Sequence, residues 1–277
     1  MQLWYLCLFL IAPVASLKGT QNSTLCRPDL CAENEVHVGC IPPKSPAKSC
    51  GQNNLFLRVN GALKLGILHR INMLRNFIAS GAGNLSVAAR MPTMAWDYHL
   101  QRLADRQVRQ CNEVGKFCAN TADYHYVTTT TIRGTMGRRS SLEHQILDRM
   151  LPEMFLDVLG CKMDENKRIL PIREGTCVGH YIPLIQDHGD MMGCGLRLKT
   201  RTKKKSNVIL VCHFSRASVN HLPPYEEGKL PGEKCFTGSS QLFKYLCHED
   251  EEVDANSLKV DTKMPLTSIM QNVTSHT

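Results

Sequence analysis

The sequence predicts an α+β fold held by disulfides, and three observations predict it. Apolar residues recur at helical spacing over residues 63–80, 96–108 and 142–159. Strand signals follow at 196–212, where Leu196 and Leu198 alternate with Arg197 and Lys199 and where Val208 to Val211 is unbroken and apolar. Thirteen cysteines stand in 277 residues, too many for a reducing compartment.

The chain opens on Leu3-Trp4-Tyr5-Leu6-Cys7-Leu8-Phe9-Leu10-Ile11, an apolar stretch too short to span a bilayer, followed by the small residues Val14, Ala15 and Ser16. Residues 1–16 read as a signal peptide, although its usual positive start is missing. The mature product is expected to be secreted and extracellular, with no transmembrane segment. Removing Cys7 leaves twelve cysteines, at 26, 31, 40, 50, 111, 118, 161, 177, 194, 212, 235 and 247. An even count in a secreted chain implies up to six bridges, and one that closes a long loop contributes about 3–5 kcal/mol in the chain-entropy model. No Cys-x2-Cys pair occurs, which speaks against structural zinc. Asn22, Asn84 and Asn272 head glycosylation sequons. A net charge of +8 on a secreted protein points to anionic glycans or membrane surfaces and away from nucleic acid.

Residues 17–60 hold four cysteines and the run Ile41-Pro42-Pro43-Lys44-Ser45-Pro46, a loop-rich lobe without long helices. Leu65, Leu68, Ile71, Leu74 and Ile78 mark the first helix, ended by Gly81-Ala82-Gly83. Trp96, Leu100, Leu103, Ala104 and Val108 line the second, opposite Arg102, Arg106 and Arg109. The threonines at 128–131 suggest a strand near 126–132. The stretch 142–159 is helical, with Pro152 kinking it or splitting it in two. Cys194 and Cys212 fall on the two neighbouring strands, which a loop from Lys199 to Asn207 joins, so a cross-strand disulfide is in reach. Residues 221–247 read as a linker with a segment clipped between Cys235 and Cys247. Residues 248–277 begin with Glu249-Asp250-Glu251-Glu252 and read as an acidic, disordered tail.

Four blocks in order resemble one family. They are Cys31-Ala32-Glu33-Asn34-Glu35-Val36-His37-Val38-Gly39-Cys40; Ile67-Leu68-His69-Arg70-Ile71-Asn72-Met73-Leu74-Arg75; Met94-Ala95-Trp96-Asp97 with Leu103-Ala104 and Gln110-Cys111; and Gly179-His180-Tyr181 with Gly193-Cys194-Gly195 and Ile209-Leu210-Val211-Cys212. They resemble the CAP superfamily of secreted proteins, nearest its insect venom antigen-5 branch, over roughly residues 25 to 220. The resemblance implies an α-β-α sandwich with a small antiparallel sheet between helical layers, here residues 61–220. It pairs Cys26 with Cys40, Cys31 with Cys118, Cys50 with Cys111 and Cys194 with Cys212, which leaves Cys161 for Cys177 and Cys235 for Cys247.

The family's cleft of two histidines and two acids carries over only in half. His180 stands at the motif's histidine and Glu153 at one acid. The interval from Cys111 to Cys118 holds no histidine, and Val127-Thr128-Thr129-Thr130 holds no carboxylate. One imidazole is a poor start for a tight metal site, so a vestigial cleft without metal or cofactor is expected, with His180 held against Glu153. The basic run contributes Lys199, Arg201, Lys203, Lys204 and Lys205 as a patch for an anionic partner, set against a plain solvated turn. Asp187-His188-Gly189-Asp190 reads as a loop, and His37 and His213 as packed or hydrogen-bonded side chains.

These residues together predict a non-enzymatic protein that acts by extracellular binding, its partner a protein, a glycan or a lipid head group. A role in insect seminal fluid is the first expectation. The alternatives are a venom or salivary allergen-like protein, a lipid or sterol carrier, and a hydrolase using His180 and Glu153.

Overall fold

A five-stranded sheet built on one long hairpin occupies the centre of the molecule. The computed structural model describes residues 24–40, 46–112, 116–137, 139–165, 169–174, 181–219 and 222–258. Among them the strands are β1 (Val36–His37), β2 (Asn54–Leu57), β3 (Ala95–Trp96), β4 (Phe117–Cys118), β5 (Thr128–Gly137), β6 (Cys161–Met163), β7 (Ile169–Pro171), β8 (Met191–Thr202) and β9 (Lys205–Phe214). The helices are α1 (Gly61–Ala79), α2 (Tyr98–Val108), α3 (Leu142–Gln145) and α4 (Leu151–Leu159). The sheet order is β2-β8-β9-β5, all antiparallel, and β3 joins parallel to the start of β8. Helices cover both faces, the α-β-α order that the family resemblance implies.

The Gly-Cys-Gly of β8 explains how the layers meet. Successive residues of a strand point to opposite faces. Gly193 and Gly195 face α2, and Cys194 faces the main core. A Cβ on Gly195 would come within 2.6 Å of the Ala104 backbone, and one on Gly193 would overlap the backbone nitrogen of Gln101. The two glycines therefore let α2 lie directly on the strand. On the other face Cys194 sits opposite Cys212 in register, and the two are bridged with Cα atoms 4.1 Å apart. The apolar run of β9 divides the same way: Val208 and Leu210 enter the main core, while Ile209 and Val211 pack with Val108 of α2.

Three expectations need correcting. The loop from Lys199 to Asn207 does not exist: β8 and β9 run on to a two-residue turn, pairing Thr202 with Lys205 across a register shift after Thr200. Polar residues pleat as readily as apolar ones when both strand faces meet water, and the Thr202 hydroxyl accepts the N–H groups of Lys204 and Lys205 to close the turn (3.2 and 3.1 Å). The buried stripe of α1 is Leu63, Ile67, Ile71, Leu74 and Ile78, while Leu65 is 64% exposed; six residues before Ile71, it is rotated well off that face. The stretch at 142–159 is neither simply kinked nor split. A π-turn, Ile146–Met150, joins α3 to α4 just before Pro152, and the wider turn absorbs the missing N–H and the bulk of the ring.

Among the described residues, the lobe before residue 60 and the segment 222–258 are not separate from the domain. β2 supplies an edge strand of the central sheet, β1 pairs with β4, and disulfides Cys26–Cys40, Cys31–Cys118 and Cys50–Cys111 tie the region down. Tyr225, Phe243 and Leu246 join the main core, and Cys235–Cys247 closes the segment that carries the last two. Glu251 is buried, and its carboxylate meets Arg90 at 2.5 Å. Burial acts to raise this carboxylate's pKa, but the hydroxyl and N–H of Thr237, Arg90 and the N–H of Phe236 together hold it below its ordinary value. Charge density suggested solvation here; a buried guanidinium at Arg90, with the Phe236 ring 4.5 Å from it, reverses that reading. Residues 259–277, the remainder of the expected tail, lie outside the described residues.

Candidate functional site

Conserving the sandwich falls to polar residues of α1 that the family motif includes. Asn72 donates to Met94 O (3.0 Å) and accepts from Met94 N (2.8 Å). Arg75 is fully buried and donates to the carbonyls of Pro92, Leu184, Gln186 and Gly189. Burial lowers its pKa to about 10, with Asp190 and Asp187 opposing, so it remains charged at neutral pH. These two side chains fasten the segments around residues 93 and 187 to one helix. Asp187-His188-Gly189-Asp190 is accordingly a bonded loop: Gly189 O meets Arg75, an Asp187 carboxylate oxygen accepts from Glu226 N, and a His188 ring nitrogen lies 3.2 Å from Asp254 O.

Of the two residues expected in the cleft, His180 lies outside the described residues. Glu153 is exposed on α4, beside a shallow pocket of about 260 Å³ whose other lining residues are Thr130 to Arg133, Met150 and Met154. Among the described residues its neighbours in this pocket are two threonines, Ile132, two methionines and one arginine, with no second acid and no histidine. Among the described residues no group of three His, Cys, Asp or Glu side chains converges as a metal would require.

His37 and His213 are bound into the structure. His37 Nε2 lies 2.6 Å from Asn120 O, and its Nδ1 accepts from Gly39 N. His213 Nε2 lies 2.7 Å from Gln107 Oε1, which makes Nε2 the donor and leaves Nδ1 without a hydrogen. Burial, with His37 nearby, drives the His213 pKa down to about 3. Both imidazoles are neutral struts between layers. Thr128 to Thr131 lie in β5, paired with Phe214 to Val211.

The exposed chemistry gathers at the other end of the hairpin. Lys199, Arg201, Lys203, Lys204 and Lys205 are all exposed, and no carboxylate occurs from Met191 to Tyr225. By strand alternation Arg197 and Lys199 share the face on which α2 lies, with Arg133 of β5 on the same side. Asn84 is exposed, Asn22 and Asn272 lie outside the described residues, and Cys161 is disulfide-bonded with its expected partner Cys177 also outside them.

A helix-sheet-helix sandwich stapled by disulfides, with Asn72 and Arg75 clamping its loops, defines a CAP protein. The chain is 30% identical over 246 residues to Venom allergen-1 of Aedes albopictus, covering 86% of this chain and 93% of that one. It is 28% identical to Tablysin 15 of Tabanus yao over 253 residues, 90% and 96% of the two chains. No family model matches. The solved structure of Na-ASP-1, at 16% identity and a TM-score of 0.50, covers 75% of this chain and 51% of that one and shares the fold. The chain belongs to the CAP superfamily, in its venom-allergen, antigen-5-like branch. Among the described residues no helix is long and apolar enough to cross a membrane.

Proposed function

We propose that this venom-allergen-like protein is secreted and acts by binding, without catalysis, and that the β8–β9 tip is its contact surface for an acidic extracellular glycan. The observation that carries this reading is the exposed cluster Lys199, Arg201, Lys203, Lys204 and Lys205 on a rigid two-stranded support with no carboxylate in the same stretch. Repeated cations at strand spacing suit a chain of sulfates or carboxylates, and their attraction falls as salt rises. Non-catalytic action is supported, among the described residues, by the lack of a second acid or a histidine in the pocket that Glu153 lines. The relatives favour the venom or salivary alternative over the seminal-fluid role, and a glycan at exposed Asn84 fits a secreted protein.

Elution from immobilised heparin in a salt gradient tests the contact. The parent chain is expected to elute well above physiological salt, and Lys203→Glu/Lys204→Glu to elute markedly earlier with an unchanged melting temperature. Equal elution of the two would reject the tip as the contact. Transcripts confined to reproductive tissue would reject the venom or salivary role.

A further inference from the structure

A second surface stands apart from the hairpin tip and from the expected cleft. Between β2 and α2 lies a groove of about 390 Å³, inside the range of roughly 300–1,000 Å³ common for small-molecule sites. Its base is apolar, formed by Phe56 and Val108, which pack together on the α2 side of the sheet. Its rim is cationic. Arg58 follows β2, Arg102 and Arg109 project from α2, and the Arg109 guanidinium lies 5.0 Å from the centre of the Phe56 ring. Tyr98 stands at the open end, where its hydroxyl accepts from Lys64 Nζ (3.0 Å).

One lining carboxylate, Asp105, sits among these cations. Arg109 acts on it from the end of its own helix and Arg58 from the β2 side, Arg102 lines the same groove, and β8 contributes no charged group. Burial raises the Asp105 pKa to about 6, against the pull of Arg109 and Arg58. Three guanidinium groups and one acid leave a net positive charge over an apolar floor. A guanidinium stacked on an aromatic ring is also a preorganised partner for an acid group borne on a flat or alkyl body.

We propose that the groove between β2 and α2 binds a compact amphipathic anion, a single acid group on an aromatic or alkyl body. The apolar body lies on Phe56 and Val108, and the acid group meets Arg109 with Arg58 or Arg102. This proposal is independent of the glycan reading, because it uses neither the tip nor its lysines.

The test uses 8-anilinonaphthalene-1-sulfonate, an aromatic sulfonate whose fluorescence rises in apolar sites, titrated into the mature chain at pH 7.5. Saturable binding is expected, displaced by 2-naphthoate and not by equal concentrations of inorganic phosphate. Arg58→Glu/Arg102→Glu alters two exposed side chains, and it is expected to weaken binding at least tenfold while the far-ultraviolet spectrum and melting temperature are kept. Asp105→Asn is expected to tighten binding several-fold at pH 7.5 and to flatten its rise on acidification through pH 6. Lys203→Glu/Lys204→Glu is expected to bind the dye as the parent does. No saturable binding, equal displacement by phosphate, or unchanged affinity in the double-arginine variant would each overturn the proposal.

Discussion

One strand carries two chemistries. The inner half of β8, from Met191 to Leu196, has glycine against α2 on one face and Met192, Cys194 and Leu196 in the core on the other. The outer part, from Lys199 to Thr202, is exposed and basic. The same backbone ladder runs through both, so hydrogen bonding does not distinguish them; what differs is how closely a second layer approaches. Where a helix rests on the strand, side-chain volume is fixed to within a methyl group. Beyond the end of the helix, sequence is free to follow a ligand.

If this division is right, equal changes at the two ends must have very unequal consequences. The largest effect is expected at Gly193→Val, where the new side chain meets the α2 backbone, a neighbour that cannot swing aside. A loss of about 3 kcal/mol in urea unfolding is expected, and a loss below 1 kcal/mol would show that the layers are not in contact as described. Replacing the pair as Cys194→Ala/Cys212→Ala removes a bridge over 18 residues and is expected to cost about 3 kcal/mol, read as a lower unfolding midpoint without reductant.

His213, at the far inner end of β9, sharpens the comparison through pH. Its folded pKa is about 3, against an ordinary value of 6.5, so the unfolded chain takes up a proton that the folded chain refuses. Stability therefore falls as pH drops from about 6.5 towards 3, by up to ~1.4 kcal/mol per pH unit. Urea midpoints of His213→Gln at pH 7 and pH 5 are expected to lie closer together than those of the parent. At the tip, Lys203→Glu/Lys204→Glu is expected to shift stability by no more than about 0.5 kcal/mol while changing heparin retention; a large destabilisation there would erase the distinction between the halves.

The fold class was legible because the signals behind it are local: helical period, strand alternation and cysteine number. Misreadings came where a local signal is ambiguous. Leu65 is apolar and faces water, and the Thr- and Lys-rich strand ends carry no burial pattern. The acidic run at 249–252 cannot announce that Arg90 receives one of its members. Lysines at a tight turn are exposed wherever the fold places them, so the basic patch could be read directly. The groove could not be, since Phe56 and Arg58 come from one segment and Asp105 and Arg109 from another, with α1 between them. Glu153 could be named only from a motif position; it lines a pocket with Met150 and Met154, and the histidine expected beside it lies outside the described residues.

The pairing of Arg90 with Glu251 has a consequence for synthesis. The two partners lie 161 residues apart, so on the ribosome the guanidinium emerges long before its counter-charge. A nascent chain that has made every helix and the whole hairpin still lacks the last side chains of its core, Phe243 and Leu246, and the acid that neutralises Arg90. Stopping translation short of residue 251 would take from Arg90 its carboxylate and the Glu252 carbonyl, and breaking a buried ion pair in this way costs about 3–5 kcal/mol, so final closure of this domain waits for residue 251 to emerge.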